Sequence, residues 1–185
     1  MDPQVKDLGN YMQRPSFKAV RDDTLFREEQ GFTQWFIWAL VLGLVGIPLY
    51  GIVQQIFLGE PFGDHPMSDW GLILFLTGTL LFCYFFWSVR LRTAIARDHV
   101  HIQFRPLANK KVYWRDVSKA EIVRYSPWIG YGLRVSTTYG TVYNTKGNKG
   151  LLLTLKEGKK IMIGTQRPRE MEEAAQRAMK AIKAL

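Results

Sequence analysis

A single cysteine, three histidines and a shortage of acidic residues in the second half set the first limits on this chain. Cys83 stands alone, so no intramolecular disulfide can form and no Cys-rich zinc site can be assembled. It lies inside an apolar run, where a buried thiol is inert filler. His65, in Asp64-His65-Pro66, and the pair His99 and His101 are the only imidazoles. His99-Val100-His101 on a strand would place both rings on one face, yet with no cysteine and few carboxylates nearby it is a poor metal site. After Ser88 the chain carries 20 basic and 7 acidic residues. Neither paired carboxylates for acid–base hydrolysis nor a nucleophile beside a positioned base can be assembled from it. The Gly-x4-Gly-Lys-Ser/Thr phosphate loop is missing as well. No metal, cofactor or catalytic residue is expected, and the chain does not read as an enzyme.

What is present is apolar length. Trp35 to Leu58 and Trp70 to Val89 contain no Asp, Glu, Lys or Arg. At 1.5 Å per residue each run spans roughly 30 Å, so both read as transmembrane helices, about 35–58 and 70–89. Lys18, Arg21 and Arg27 precede the first run, and Arg90, Arg92 and Arg97 follow the second. The hinge between the runs holds Glu60, Asp64 and Asp69 with no Lys or Arg. The positive-inside bias then predicts a multi-pass protein of the cell (inner) membrane with both termini cytoplasmic. Some 30 mostly polar residues precede the first run, unlike a cleaved signal peptide, so that helix is expected to persist. Trp35, Trp38, Trp70 and Trp87, with Arg90 and Arg92, are placed to anchor at the membrane interface.

Within the runs, Pro48 predicts a kink near Gly46 and Gly51. Gln54 and Gln55, and Thr77 and Thr79 with Gly71 and Gly78, give each helix a side suited to packing, as a hairpin or in a homo-oligomer. No intramembrane carboxylate, His or Arg is present to mark a transport path. Ahead of the first run, Leu25 to Trp35 mixes aromatics with charges and is expected to form an interfacial helix, with Asp22, Asp23 and Thr24 as candidate caps. Residues 1–24 are expected to be a flexible cytoplasmic segment.

From Leu91 onward the period changes. Thr93–Arg97, Val100–Phe104, Lys111–Trp114, Lys119–Tyr125, Tyr131–Val135, Thr141–Asn144, Gly150–Leu155 and Lys160–Gly164 read as short strands, separated by turn signals such as Tyr139-Gly140, Lys146-Gly147-Asn148 and Glu157-Gly158. Ser126-Pro127 ends one of them. A closing helix over 168–184 has Pro168 in its first turn, Glu170, Glu172 and Glu173 near its N-terminus and Lys180 and Lys183 near its end. Met171, Ala174, Ala175, Ala178, Ile182 and Leu185 form its inner stripe. The predicted organisation is residues 1–24, a helical hairpin over 25–92 and a cytoplasmic β-domain over 93–185.

Several short words accompany this plan: Trp114-Arg115-Asp116-Val117, Tyr125-Ser126-Pro127, Gly130-Tyr131-Gly132-Leu133-Arg134, Val142-Tyr143-Asn144 and Gly164-Thr165-Gln166-Arg167-Pro168. Together with the two apolar runs, over about residues 25–185, they resemble bacterial membrane proteins with two transmembrane helices and a C-terminal pleckstrin-homology-like (PH-like) domain, a family of unknown function. The resemblance implies an α+β membrane protein, a PH-like antiparallel β-barrel or sandwich capped by a C-terminal helix, and no known enzymatic activity or defined ligand.

The net charge of +9 resides in the segment after Ser88. Such charge beside a membrane fits anionic headgroups or an acidic protein; the tether and the lack of an aromatic-basic motif exclude nucleic acid as a partner. Tyr131, Arg134, Tyr143, Lys146, Lys149, Gln166 and Arg167 are the candidate ligand-binding residues, next to a helix N-terminus. The function expected is a membrane-anchored binding or scaffold module. The alternatives are a subunit or assembly factor acting through its helices and, last, a membrane-surface enzyme.

Overall fold

The computed structural model describes residues 24–126 and 130–184. Strand β1 (Thr24–Gly31) comes first, followed by two long helices, α1 (Trp35–Ile52), prolonged by a π-helical turn over Val53–Phe57, and α2 (Asp69–Ser88). The chain then forms β2 (Arg90–Ala96), β3 (His99–Arg105), β4 (Ala108–Tyr113), β5 (Val117–Arg124), β6 (Gly132–Ser136), β7 (Gly140–Asn144), β8 (Lys149–Leu155), β9 (Lys160–Gly164) and the closing helix α3 (Pro168–Lys183). The candidate caps Asp22 and Asp23, the flanking Lys18 and Arg21, the expected flexible segment up to residue 23, Pro127 and Leu185 lie outside the described residues.

The segment read as an interfacial helix is instead β1. Its side chains alternate, with Phe26, Glu28 and Gln30 buried and Leu25, Arg27 and Glu29 exposed. Hydropathy hides this period of two because two of the three inward residues are polar. Tertiary bonds make their burial tolerable: Thr165 Oγ1 donates to Glu28 Oε2 at 2.6 Å and the Gln166 amide to Glu28 Oε1 at 2.9 Å. Gln30 Nε2 donates to the Gly164 carbonyl at 2.9 Å, and its Oε1 accepts from Thr145 Oγ1 at 3.3 Å. No partner for these groups is visible in the local sequence.

β1 pairs antiparallel with β2, and Gly31 lies opposite Arg90. The whole helical excursion therefore leaves and re-enters one sheet between neighbouring strands. Stacked rings of Phe32 and Phe86, 4.7 Å apart, close its base, and the Trp38 indole donates to the Phe32 carbonyl at 3.1 Å. At the far end Gln55 Nε2 donates to the Met67 carbonyl and to Asp69 Oδ1, both at 2.7 Å. Ser68 caps α2 by accepting from the Gly71 amide. Gly51 of α1 faces Phe62 of the hinge and Leu72 of α2, with no room for a side chain between them. Thr77 and Thr79, read as part of a packing side, donate to their own helix at the carbonyls of Ile73 and Phe75.

Strands β1 to β4 form one antiparallel sheet; the second has the order β5-β8-β9-β7-β6, with β7 and β9 parallel. The sheets stay open and pack face to face, so the closed barrel allowed by the sequence reading does not form. A short 3-10 turn, Trp114–Asp116, passes the chain from one sheet to the other without extending either ladder, and the Trp114 indole bonds the Ala96 carbonyl at 3.0 Å. Leu91, Ile95, Val100, Ile102 and Phe104 of the first sheet meet Leu151, Leu153, Ile161 and Ile163 of the second. Met171, Ala174, Ala175 and Ala178 of α3 complete that core, as their spacing predicts.

Gly140 has φ +66°, and a Cβ there would collide with the Lys160 carbonyl beside the parallel β7–β9 pairing. Gly158 has φ +81° with open space around it. Gly140→Ala should therefore cost at least about 2 kcal/mol, backbone strain plus steric displacement, and Gly158→Ala only about 1 kcal/mol. Thermal denaturation of the two variants in detergent checks this, and equal losses would contradict the assignment.

Candidate functional site

One strand pairing and two side-chain hydrogen bonds define one end of the β-domain as the end where the helices attach. Gly31 and Arg90 mark it on the first sheet. On the second sheet, Gln34 Nε2 donates to the Thr145 carbonyl at 2.7 Å and Lys146 Nζ to Thr33 Oγ1 at 2.9 Å. Chain direction then puts the β3–β4 turn, the end of β5, the β7–β8 loop and the N-terminus of α3 at this helix end.

Of the residues selected from the sequence, three meet here. Gln166 Nε2 donates to the Lys146 carbonyl at 2.6 Å, and the Thr165 amide donates to the Lys149 carbonyl at 3.0 Å. Lys146, Lys149 and Gln166 thus share one exposed corner, which the Tyr125 hydroxyl braces by donating to the Gly147 carbonyl. Tyr143 does not join them. It is 4 % exposed, because the β7 alternation turns it inward toward Phe104, with ring centroids 6.4 Å apart. Burial holds the phenols of Tyr125 and Tyr143 above their ordinary pKa, so both are neutral packing groups. Tyr131 packs half-buried against the core, and its carbonyl accepts from Arg134 Nε at 3.0 Å on the edge strand β6.

Arg167 points elsewhere. Its guanidinium bonds both carboxylate oxygens of Glu170, lies 5.3 Å from the centre of the Phe26 ring and donates to the Arg27 carbonyl. The Glu170 carboxyl is held below its ordinary pKa chiefly by that hydrogen bond. Arg167, Glu170, Glu173 and Arg177 line an open groove of about 400 Å³ between α3 and β1, in which basic and acidic side chains are both present.

The sequence reading missed Arg105, Leu107 and Arg124. Arg105 lies opposite Arg90 in the β2–β3 register, and Arg124 lies opposite Lys149 in the β5–β8 register. Leu107, on the β3–β4 turn, is 56 % exposed. The only local signal is a basic residue at the helix end of β2, β3, β5 and β8, and recognising it requires knowing each strand's direction. Toward the opposite end the exposed acids are matched by basic neighbours: Asp98 with His99, Asp116 with Arg115, Glu121 with Lys119 and Glu157 with Lys159. Near the helix end Glu29 is engaged by Arg92 and Glu170 by Arg167. Arg90, Arg105, Arg124, Lys146 and Lys149 thus form a group of five cations at the helix end.

The proposed interface anchors occupy the helix ends. Trp35 and Trp70 are 79 % and 80 % exposed, Trp87 lies beneath the Arg90 guanidinium at 5.7 Å, and Trp38 is tied back to Phe32. Arg92 sits within the sheet, paired with Glu29. Among the described residues no group of three or more metal-binding side chains occurs. No protein-family model matches the chain, and a search of curated proteins finds no similar sequence.

His101, one of the two strand imidazoles, is fully buried and bonds Asn109 at 2.6 Å; Lys111 lies opposite it on β4, Arg27 lies beyond Ala94 in the same row, and His99 lies two residues away. Burial is the main cause of a pKa below the ordinary histidine value, with Lys111 and His99 adding to it against the Asn109 bond. The unfolded chain takes up this proton first, so the stability His101 contributes is complete above the unfolded pKa and is lost as pH falls toward the folded one. The melting temperature in detergent should fall between about pH 7 and 5, and His101→Gln should flatten that slope. An unchanged slope in the variant would assign the effect to other groups.

Proposed function

We propose that the protein is a membrane-anchored, non-catalytic binding module. In this reading α1 and α2 cross the cell membrane as a hairpin and both chain ends lie in the cytoplasm. The β-domain is a PH-like module that engages a protein partner or anionic headgroups through its basic helix end.

The observation that carries the reading is the β1–β2 pairing on either side of the helices. It makes helix pair and domain one unit, held at a set height and orientation, as a scaffold at a surface requires. Both helices are long and apolar enough to cross a membrane. Leu40, Leu42, Leu74 and Leu81 each leave more than 60 % of their surface exposed, unlike the core helices of a soluble domain. Arg90 and Arg92 lie at the base of the hairpin, and Glu60, Asp64 and Asp69 lie at its tip, which supports the orientation.

A second reading, a subunit that assembles through its helices, is favoured by one feature. Gly43, Gly46 and Gly78 face open space, and Leu44, Phe75, Gly78 and Phe82 border a shallow apolar groove of about 520 Å³. Photo-crosslinking residues placed at 149, 138 and 78 of the full-length protein, in its native membrane, separate the two. The binding-module reading expects a discrete adduct from position 149, none from 138, and persistence of that adduct when both helices are exchanged for unrelated apolar spans. Adducts from position 78 alone, lost on that exchange, would establish the subunit reading instead.

A further inference from the structure

Resting on the membrane-anchored reading, we infer that the helix end of the β-domain is a two-pronged contact for the anionic headgroups of the leaflet in which its own helices are rooted. One prong is the β3–β4 turn, where exposed Arg105 precedes Leu107. The other is the corner formed by Arg124, Lys146 and Lys149. The prongs belong to different sheets. The first is joined to the base of α2 through the Arg90–Arg105 register, the second to the start of α1 through the Lys146–Thr33 and Gln34–Thr145 bonds.

Three features select a lipid surface over an acidic protein as the occupant. These cations are spread around the roots of the helices and are not gathered into one pocket, so the surface they match is a plane of negative charge. A plane at that height is already supplied by the bilayer that α1 and α2 cross. Leu107 gives one prong an apolar tip that can enter the headgroup region while Arg105 remains at phosphate level.

Each cation near an anionic leaflet strengthens attachment about fivefold, so a preference of at least that size is expected. The full-length protein is reconstituted in phosphatidylcholine containing trace spin-labelled phosphatidylglycerol or trace spin-labelled phosphatidylcholine. The motionally restricted fraction of each label reads the lipid held against the protein. The proposal expects the phosphatidylglycerol label to be held about fivefold more strongly at low salt, with the preference lost near 1 M salt, where the Debye length is about 3 Å. Charge reversal by Arg105→Glu, Lys146→Glu and Lys149→Glu together should abolish it, and reversal of Lys156, Lys159 and Lys160 at the opposite end should leave it intact. Equal holding of the two labels, or a preference that survives the first set of changes, overturns the headgroup contact while leaving the anchoring untouched. Absence of any restricted component overturns the membrane-spanning reading itself.

Discussion

The pairing of Gly31 with Arg90 governs the rest of the molecule. Opposed residues of an antiparallel ladder lie about 5 Å apart, so everything between them must return to its starting point. Two helices of similar length joined by a hinge satisfy that requirement, and the Phe32–Phe86 stack with the Trp38–Phe32 bond seals the closure. The same pairing places β1 at the edge of the first sheet, where Glu28 and Gln30 reach across to the β9–α3 connection. Those bonds join the two sheets at the point where the helices depart. A strand lying before the helices in sequence thus becomes part of the domain that follows them, and the helix pair is an insertion within that domain.

Charge follows from the same geometry. Strand directions bring Arg90, Arg105, Arg124, Lys146 and Lys149 to one end, although they are separated along the chain by as many as 59 positions. Acidic residues elsewhere have nearby basic partners, and exposed pairs of that kind add little to stability. The five cations stand where the helices begin and end, so the anchoring and the binding proposed for this protein use one surface.

Legibility from sequence varied with how local the determining contacts are. The two apolar runs and α3 were readable because length, composition and helical spacing are carried by the segments themselves: α3 begins at Pro168 as expected, and its stripe of Met171, Ala174, Ala175 and Ala178 is buried. Strands β2 to β9 were found close to their observed limits through alternation and turn residues. β1 was misread because Glu28 and Gln30 occupy inward positions, and only Thr145, Gly164, Thr165 and Gln166, more than 100 residues away, explain why polar groups belong there. Tyr143 was taken for a surface group because a strand's pattern does not state which of its faces meets the core.

The sequence by itself determined that there are two apolar spans with an acidic hinge and basic flanks, a basic β-rich segment and an amphipathic closing helix, since each is a property of contiguous residues. Tertiary structure alone decided that the first strand joins the domain beyond the helices and that two open sheets form without closing into a barrel. It also separated Lys146, Lys149 and Gln166 from Tyr143 and Arg167, and added Arg105, Leu107 and Arg124 to their end of the domain. The reason is physical: register and strand direction are set by hydrogen bonds and packing between distant segments, and no local pattern encodes them.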